Sequence, residues 1–216
     1  MSSRALFRWA AAALIVSAVS VTLGRILHPA VDAAGITSPQ WGVSHVLWLV
    51  GLLTGMVGLV GLYLRQREDV GVLGFIGAGA AWVGMALLSG TIYFEGIIEP
   101  AVLAQAPALV ETLVSGEGWG VFFAVFLVSV ALFGVGFLLL GIAMYRAAVL
   151  PRWAVVLVVV GSVVGGPQGL LPRPIATLAF LTLGVGLAGL GYGLWASAEA
   201  PSAHPALGGR PSVVEG

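Results

Sequence analysis

The sequence predicts an all-α membrane protein, a polytopic bundle of about six transmembrane helices with the N-terminus and C-terminus both cytoplasmic. Three observations lead there. Of 216 residues, 59% are hydrophobic and 8% are charged, against roughly 25% charged in an ordinary soluble domain, and the mean hydropathy is +1.07. The apolar residues gather in runs close to the ~20 residues that cross hydrocarbon as a helix. The arginines between those runs fall mostly on one side of the expected weave.

The first run covers residues 9–27 and follows Arg4 and Arg8. Such a start also describes a secretory signal peptide, with Val31, Asp32 and Ala33 as the small-residue stretch. That stretch lies well past the apolar run, so an uncleaved first helix is expected; cleavage would leave five helices in the same orientation. The second and third runs, 41–64 and 70–94, flank the short charged turn Arg65, Gln66, Arg67, Glu68 and Asp69, which predicts a tight hairpin. A polar-punctuated stretch from Glu95 to Gly118 precedes the fourth run, 119–145, and a short turn from Arg146 to Arg152 follows it. The fifth span, 153–171, holds the break Gly165, Gly166 and Pro167, and Pro174 opens the sixth, 174–195. One membrane domain therefore takes up residues 1–197. The remainder, 198–216, with Pro201, Pro205, Pro211 and paired glycines, reads as a disordered cytoplasmic tail.

Orientation follows from the basic residues. With the N-terminus inside, Arg4, Arg8, Arg65, Arg67, Arg146, Arg152 and Arg210 are cytoplasmic, and Arg25 and Arg173 are outside, as the excess of positive charge on inner segments requires. Trp9, Trp41, Trp119, Trp153 and Trp195 fall at expected helix ends, where an amphipathic ring suits the headgroup region.

Absences narrow the chemistry. The chain has no cysteine, which excludes disulfides, thiolate nucleophiles, cysteine-ligated zinc and iron–sulfur clusters. It has no lysine, which removes Schiff-base chemistry and the phosphate-loop lysine. Nucleic acid lacks a basic patch to bind. No ionisable residue falls in the middle of an expected helix and His204 is in the tail, so serine hydrolysis within the membrane is disfavoured.

The informative polar residues share one depth, at the outer ends of the helices. Arg25 and His28 close the first helix, His45 sits one turn into the second, Glu95 and Glu99 close the third, and Gln168 and Arg173 flank the gap between the fifth and sixth. Glu95 and Glu99 are four residues apart, so a helix continuing to Pro100 projects both carboxylates from one face. The simplest reading is a salt-bridged cap in which Arg25 and Arg173 serve as cations for Glu95 and tie helices one, three and six together. A sharper one makes His28, His45, Glu95 and Glu99 a ligand set for zinc, iron or manganese, though no His-Glu-x-x-His spacing is present.

Glycine is abundant, at 32 residues. Gly51, Gly55 and Gly58 share a face of the second helix, and Gly186, Gly189 and Gly193 do so on the sixth. Small residues at that spacing let helices approach closely, within a monomeric bundle or toward a second copy or another membrane protein. Over residues 101–115, Val102, Leu103, Ala106, Leu109, Val110 and Leu113 recur at helical spacing, which predicts an amphipathic segment on the outer leaflet that either lids the polar cluster or fills a long connection.

The string from Tyr93 through Glu95, Glu99, Pro100 and Pro107 to Glu111, with the later Leu150, Pro151, Arg152 and Trp153 turn, resembles uncharacterised multi-spanning integral membrane proteins of bacteria over about the last two thirds of the chain. The resemblance implies a multi-pass protein of the bacterial cytoplasmic membrane and brings no activity, cofactor or residue role. The expected function is that of a non-catalytic accessory protein, or of a binder of lipid or a small molecule at the outer polar cluster, with no cofactor. A small permease with inverted three-helix halves and an outer-face metal-dependent enzyme stay open as alternatives.

Overall fold

A computed structural model describes residues 2–115 and 120–199, and all of its regular structure is helical. Trp119, expected to begin the fourth run, Glu117, and residues 200–216, which hold nearly all of the expected tail, lie outside the described residues.

Helix α1 runs from Ser3 to Leu27. The Ser2 hydroxyl accepts from the Ala5 N–H at 3.3 Å, a side-chain cap on an otherwise unpaired donor, and the helix stops just before His28 and Pro29, where proline disfavours a further helical residue. Asp32 caps a single turn, α2 (Ala33–Ile36), by accepting from the Gly35 N–H at 2.7 Å.

Helix α3 (Pro39–Tyr93) begins with proline at its first positions and is broken at Gln66 and Gly71, which leave helical backbone angles. It doubles back there into two arms, 39–65 and 72–93. Tyr63 faces Phe75 near the closed end, Gly55 meets Met85 midway, and the Trp41 indole N–H donates to the Glu95 carbonyl at 2.7 Å near the open end. The hairpin expected at the charged turn is thus built with helical residues continuing through it, and Gly71, at φ 57° and ψ −158°, supplies a conformation that only glycine adopts freely.

Beyond Tyr93 the chain widens into a π-helical turn, Phe94–Ile98, and passes directly into α4 (Glu99–Gln105). Pro100 is the cause. It has no N–H to give to Gly96 and its ring crowds that carbonyl, so the ladder opens and the Glu99 N–H reaches back to the Phe94 carbonyl instead. The amphipathic stretch expected over 101–115 is not one helix: Ala106 leaves helical geometry before Pro107, and α5 (Leu109–Ser115) follows. Leu103 packs with Ile36 and Trp41, and Val110 packs against them, so this stretch sits on α2 and the start of α3.

Helices α6 (Gly120–Ala147), α7 (Arg152–Gly165) and α8 (Arg173–Glu199) complete the chain, with a 3-10 turn, Gln168–Leu170, between the last two. The rods form a closed ring in which each packs on its sequence neighbour and the last packs on the first. Small residues make the approaches: Gly84 of the second arm against Phe133 of α6, Gly161 of α7 against Leu183 of α8, and Gly191 of α8 against the Ala11 carbonyl of α1. Gly51 and Gly58 face Val21 and Leu14 of α1, while Gly186, Gly189 and Gly193 face Val158, Trp153 and Pro151. Both glycine faces are therefore covered by the same chain, as a tightly packed bundle requires.

Large apolar side chains such as Val72, Phe75, Val121 and Leu178 point outward and are more than 60% exposed, an arrangement suited to lipid. Among the described residues four helices, Ser3–Leu27, Pro39–Gln105, Gly120–Ala147 and Arg173–Glu199, are long and apolar enough to cross a membrane. Two features separate this count from the six spans expected. The hairpin keeps α3 continuous, and α7 stops at Gly165 after 14 residues rather than reaching 171, about 21 Å of helix against a ~30 Å hydrocarbon core. Gly166 and Pro167 are the physical reason for the stop.

Gly71→Ala is expected to destabilise the detergent-solubilised protein by about 1–3 kcal/mol, since its added Cβ meets no neighbour within 4 Å and the cost is purely conformational. Gly79→Ala, helical and equally uncrowded, leaves the melting temperature unchanged or slightly raised. Thermal unfolding of the two variants checks the assignment.

Candidate functional site

The seven polar residues singled out from the sequence, Arg25, His28, His45, Glu95, Glu99, Gln168 and Arg173, all line one cavity of about 750 Å³ at the end of the bundle opposite the α3 turn. Its remaining wall is apolar and aromatic, with Trp41 and Trp48 from α3 and Phe122, Phe123 and Phe126 from α6. Phe123 is 46% exposed, so this wall is not sealed.

Arg25 and Arg173 build one wall. Arg25 is buried on an apolar helix, so its guanidinium needs partners within the bundle. It donates through Nε to the Thr177 hydroxyl at 3.2 Å, through one Nη to Gln168 Oε1 at 3.3 Å and through the other to the Arg173 carbonyl at 3.3 Å. Arg173 reciprocates toward α1, donating to the His28 carbonyl at 2.7 Å. Helices α1 and α8 are thereby tied at the cavity end by hydrogen bonds rather than by an ion pair.

The other wall comes from the end of α3 and the chain beyond it. His45 is buried; its Nδ1 lies 2.7 Å from the Trp41 carbonyl, which can only accept, so Nδ1 carries a hydrogen and Nε2 is turned to the Glu95 carboxylate at 3.5 Å. That contact is attractive when a proton lies between the two atoms. Gly96 lets the two arms close here, since a Cβ on it would collide with the His45 side chain. Glu99 is 2% exposed, and its Oε2 is buried with no hydrogen-bond partner.

The salt-bridged cap expected from the sequence is not what forms. Among the described residues the ion pairs within 4.0 Å are His45 with Glu95 and the surface pair Arg67 with Glu68. The cations are held by α1 and α8 and the carboxylates by the π-helical turn and α4, and the cavity separates them. Nor do His28, His45, Glu95 and Glu99 make a ligand shell: among the described residues no three His, Cys, Asp or Glu side chains are placed to hold a metal ion. His28 instead stacks on Trp48, with ring centroids 4.8 Å apart and planes at 22°, while its Nδ1 donates to the Pro29 carbonyl at 2.7 Å.

Trp41 and Trp48 are the residues the sequence reading misplaced or missed. Trp41, expected as an exposed interfacial anchor, is buried, bonded to the Glu95 carbonyl and packed on both histidines. Trp9 and Trp153 do face outward. The spacing of Trp41, His45 and Trp48, four and three residues apart, places all three on one helix face and was the available signal.

Burial, and then the neighbouring His45, push the His28 imidazole down from its ordinary 6.5 to about 4, so it is neutral at pH 7. For a base whose folded pKa is lowered, the unfolded chain binds the proton first as pH falls. Stability is therefore full above about pH 6.5 and declines toward pH 4. His28→Gln is expected to flatten part of that decline in detergent melting curves; superimposable pH profiles for the two proteins would contradict the assignment. Comparison of the chain with protein-family models, with curated proteins and with solved structures finds no match.

Proposed function

We propose that this chain is a non-catalytic, multi-pass protein of the bacterial cytoplasmic membrane that binds a lipid or another small amphipathic molecule in the cavity at its outer face. The observation that supports this most is the composition of the cavity wall. Charged and hydrogen-bonding side chains line one part and three phenylalanines line another, within a volume of about 750 Å³ that suits a small-molecule site. Lipid is then both the surrounding solvent and the nearest source of a ligand, and neither a cofactor nor nucleic acid is a partner in this reading.

Counting the two arms of α3 and the short α7 as separate crossings gives six, with both termini cytoplasmic. The arginine distribution supports that orientation, since Arg65 and Arg67 lie at the α3 turn and Arg146 and Arg152 at the α6–α7 turn, while the cavity is at the other end. A permease reading retains one specific support: α7 breaks at Gly165, and the 3-10 turn after it carries Gln168 into the cavity, as the discontinuous helices of transporters do.

The chain contains no cysteine, so single-cysteine variants report topology without background. Val31→Cys is expected to react with a membrane-impermeant maleimide on intact cells, and Glu68→Cys only after permeabilisation. Labelling of both from outside would refute the orientation. For the ligand, protein purified in mild detergent should release a bound amphipathic molecule on organic extraction; an Arg173→Gln variant should release several-fold less per mole, and equal release would refute the site. Substrate flux in proteoliposomes that depends on Gln168 would turn the reading to transport.

A further inference from the structure

The cavity holds charge of both signs, and the two signs do not neutralise each other. Arg25 and Arg173 stand on the α1 and α8 wall, Glu95 and Glu99 on the wall formed by the π-helical turn and α4, and among the described residues no arginine lies within 4.0 Å of either carboxylate. Arg25 and Glu99 are buried, and for these two the separation is costly, because each is desolvated without gaining the attraction of its opposite. The guanidiniums are partly satisfied by Thr177, Gln168 and carbonyl oxygens and keep unused N–H donors. Glu99 is the extreme case, buried, lining the cavity, and with Oε2 unpartnered.

On these grounds we propose that the occupant is an amphipathic zwitterion, with a phosphate or carboxylate on Arg25 and Arg173, an ammonium group on Glu95 and Glu99, and an apolar portion along Phe122, Phe123 and Phe126. This rests on the cavity being a binding site and adds the class of its ligand. A simple anion satisfies the arginines but leaves the Glu99 carboxylate without a partner beside new negative charge; a simple cation does the reverse to the arginines. A zwitterion meets both walls at once. Arg is suited to the anionic end, since its planar fork matches phosphate and carboxylate oxygens, and an ammonium donates up to three hydrogen bonds to carboxylate oxygens. His28, held neutral, adds no competing cation. Phe123 lines the cavity and is only partly covered, which leaves the aromatic wall room to pass an alkyl chain out toward lipid.

The chemistry comes from two sources, a membrane lipid with an aminoalkyl phosphate headgroup or the soluble aminoalkyl phosphate itself. Tryptophan fluorescence of the full-length protein, solubilised in a nonionic detergent, reports binding at the cavity through Trp41 and Trp48 when compared with a Trp48→Phe variant that carries the background of the other tryptophans. Short-chain phosphatidylethanolamine is expected to bind saturably and at least tenfold more tightly than short-chain phosphatidylglycerol, which has only the anion, or a long-chain alkylamine, which has only the cation. Comparable affinity for soluble phosphoethanolamine would support the zwitterion and assign a soluble source, while weak binding of it would assign the lipid. Glu99→Gln is expected to reduce the preference for phosphatidylethanolamine over phosphatidylglycerol at least fivefold, and Glu95→Gln, less buried, serves the same comparison where Glu99→Gln does not fold. Equal affinity of the wild type for phosphatidylethanolamine and phosphatidylglycerol would overturn the zwitterion while leaving a binding cavity in place. Failure of all four probes to bind would overturn both.

Discussion

The cavity end of this protein depends on a buried arginine that must find its partners within the bundle. Arg25 lies near the end of an apolar helix, and its three hydrogen bonds to Thr177, Gln168 and the Arg173 carbonyl bind α1 to α8, the first rod of the ring to the last. The return bond from Arg173 meets the carbonyl of His28, just past the end that Pro29 sets for α1. Both arginines commit part of their N–H donors to this lock, and neither comes within 4.0 Å of a described carboxylate, so the site remains a cavity rather than an ion pair. Removing the Arg25 guanidinium takes a donor from half-buried Thr177 and Gln168, and removing that of Arg173 takes one from the carbonyl of buried His28, a loss felt at the ring closure and at the cavity together.

A second constraint shapes the facing wall. Pro100 cannot continue the hydrogen-bond ladder, the helix widens into a π turn, and Glu95 and Glu99 are carried into the cavity from one continuous rod. Gly96 within that turn allows His45 and Trp41 to come close enough for the indole to bond the Glu95 carbonyl. A short run of sequence, with a proline, a glycine and two glutamates, thus sets both the shape of the wall and its charge.

Much of this was legible in the sequence, and the failures have physical causes. Bilayer-length apolar runs give the helical character, and the charged residues 65–69 give the hairpin, because both depend on local composition. The depth of the polar residues, read from their places at helix ends, was enough to bring Arg25, His28, His45, Glu95, Glu99, Gln168 and Arg173 to one place. Which of them pair was not legible, since that depends on which rods are neighbours: α1 meets α8, so Arg25 finds Thr177 rather than Glu95. Trp41 was misread for a similar reason, as its position near a helix start suggested a headgroup anchor whereas the fold of residues 94–105 over it makes it interior. The break of α7 was marked by Gly165, Gly166 and Pro167, but apolar residues beyond them disguised how early the helix stops.

The central claim is that the cavity at the end of the bundle opposite the α3 turn is a binding site whose polar and aromatic walls act on one molecule. Native mass spectrometry of the protein released from detergent, beside a Phe126→Trp variant that narrows the aromatic wall, tests it most directly. The expected spectrum shows one amphipathic adduct per chain on the wild type and its loss from a variant that remains folded. A wild type free of adducts, or a variant retaining the same adduct at the same occupancy, would contradict the claim.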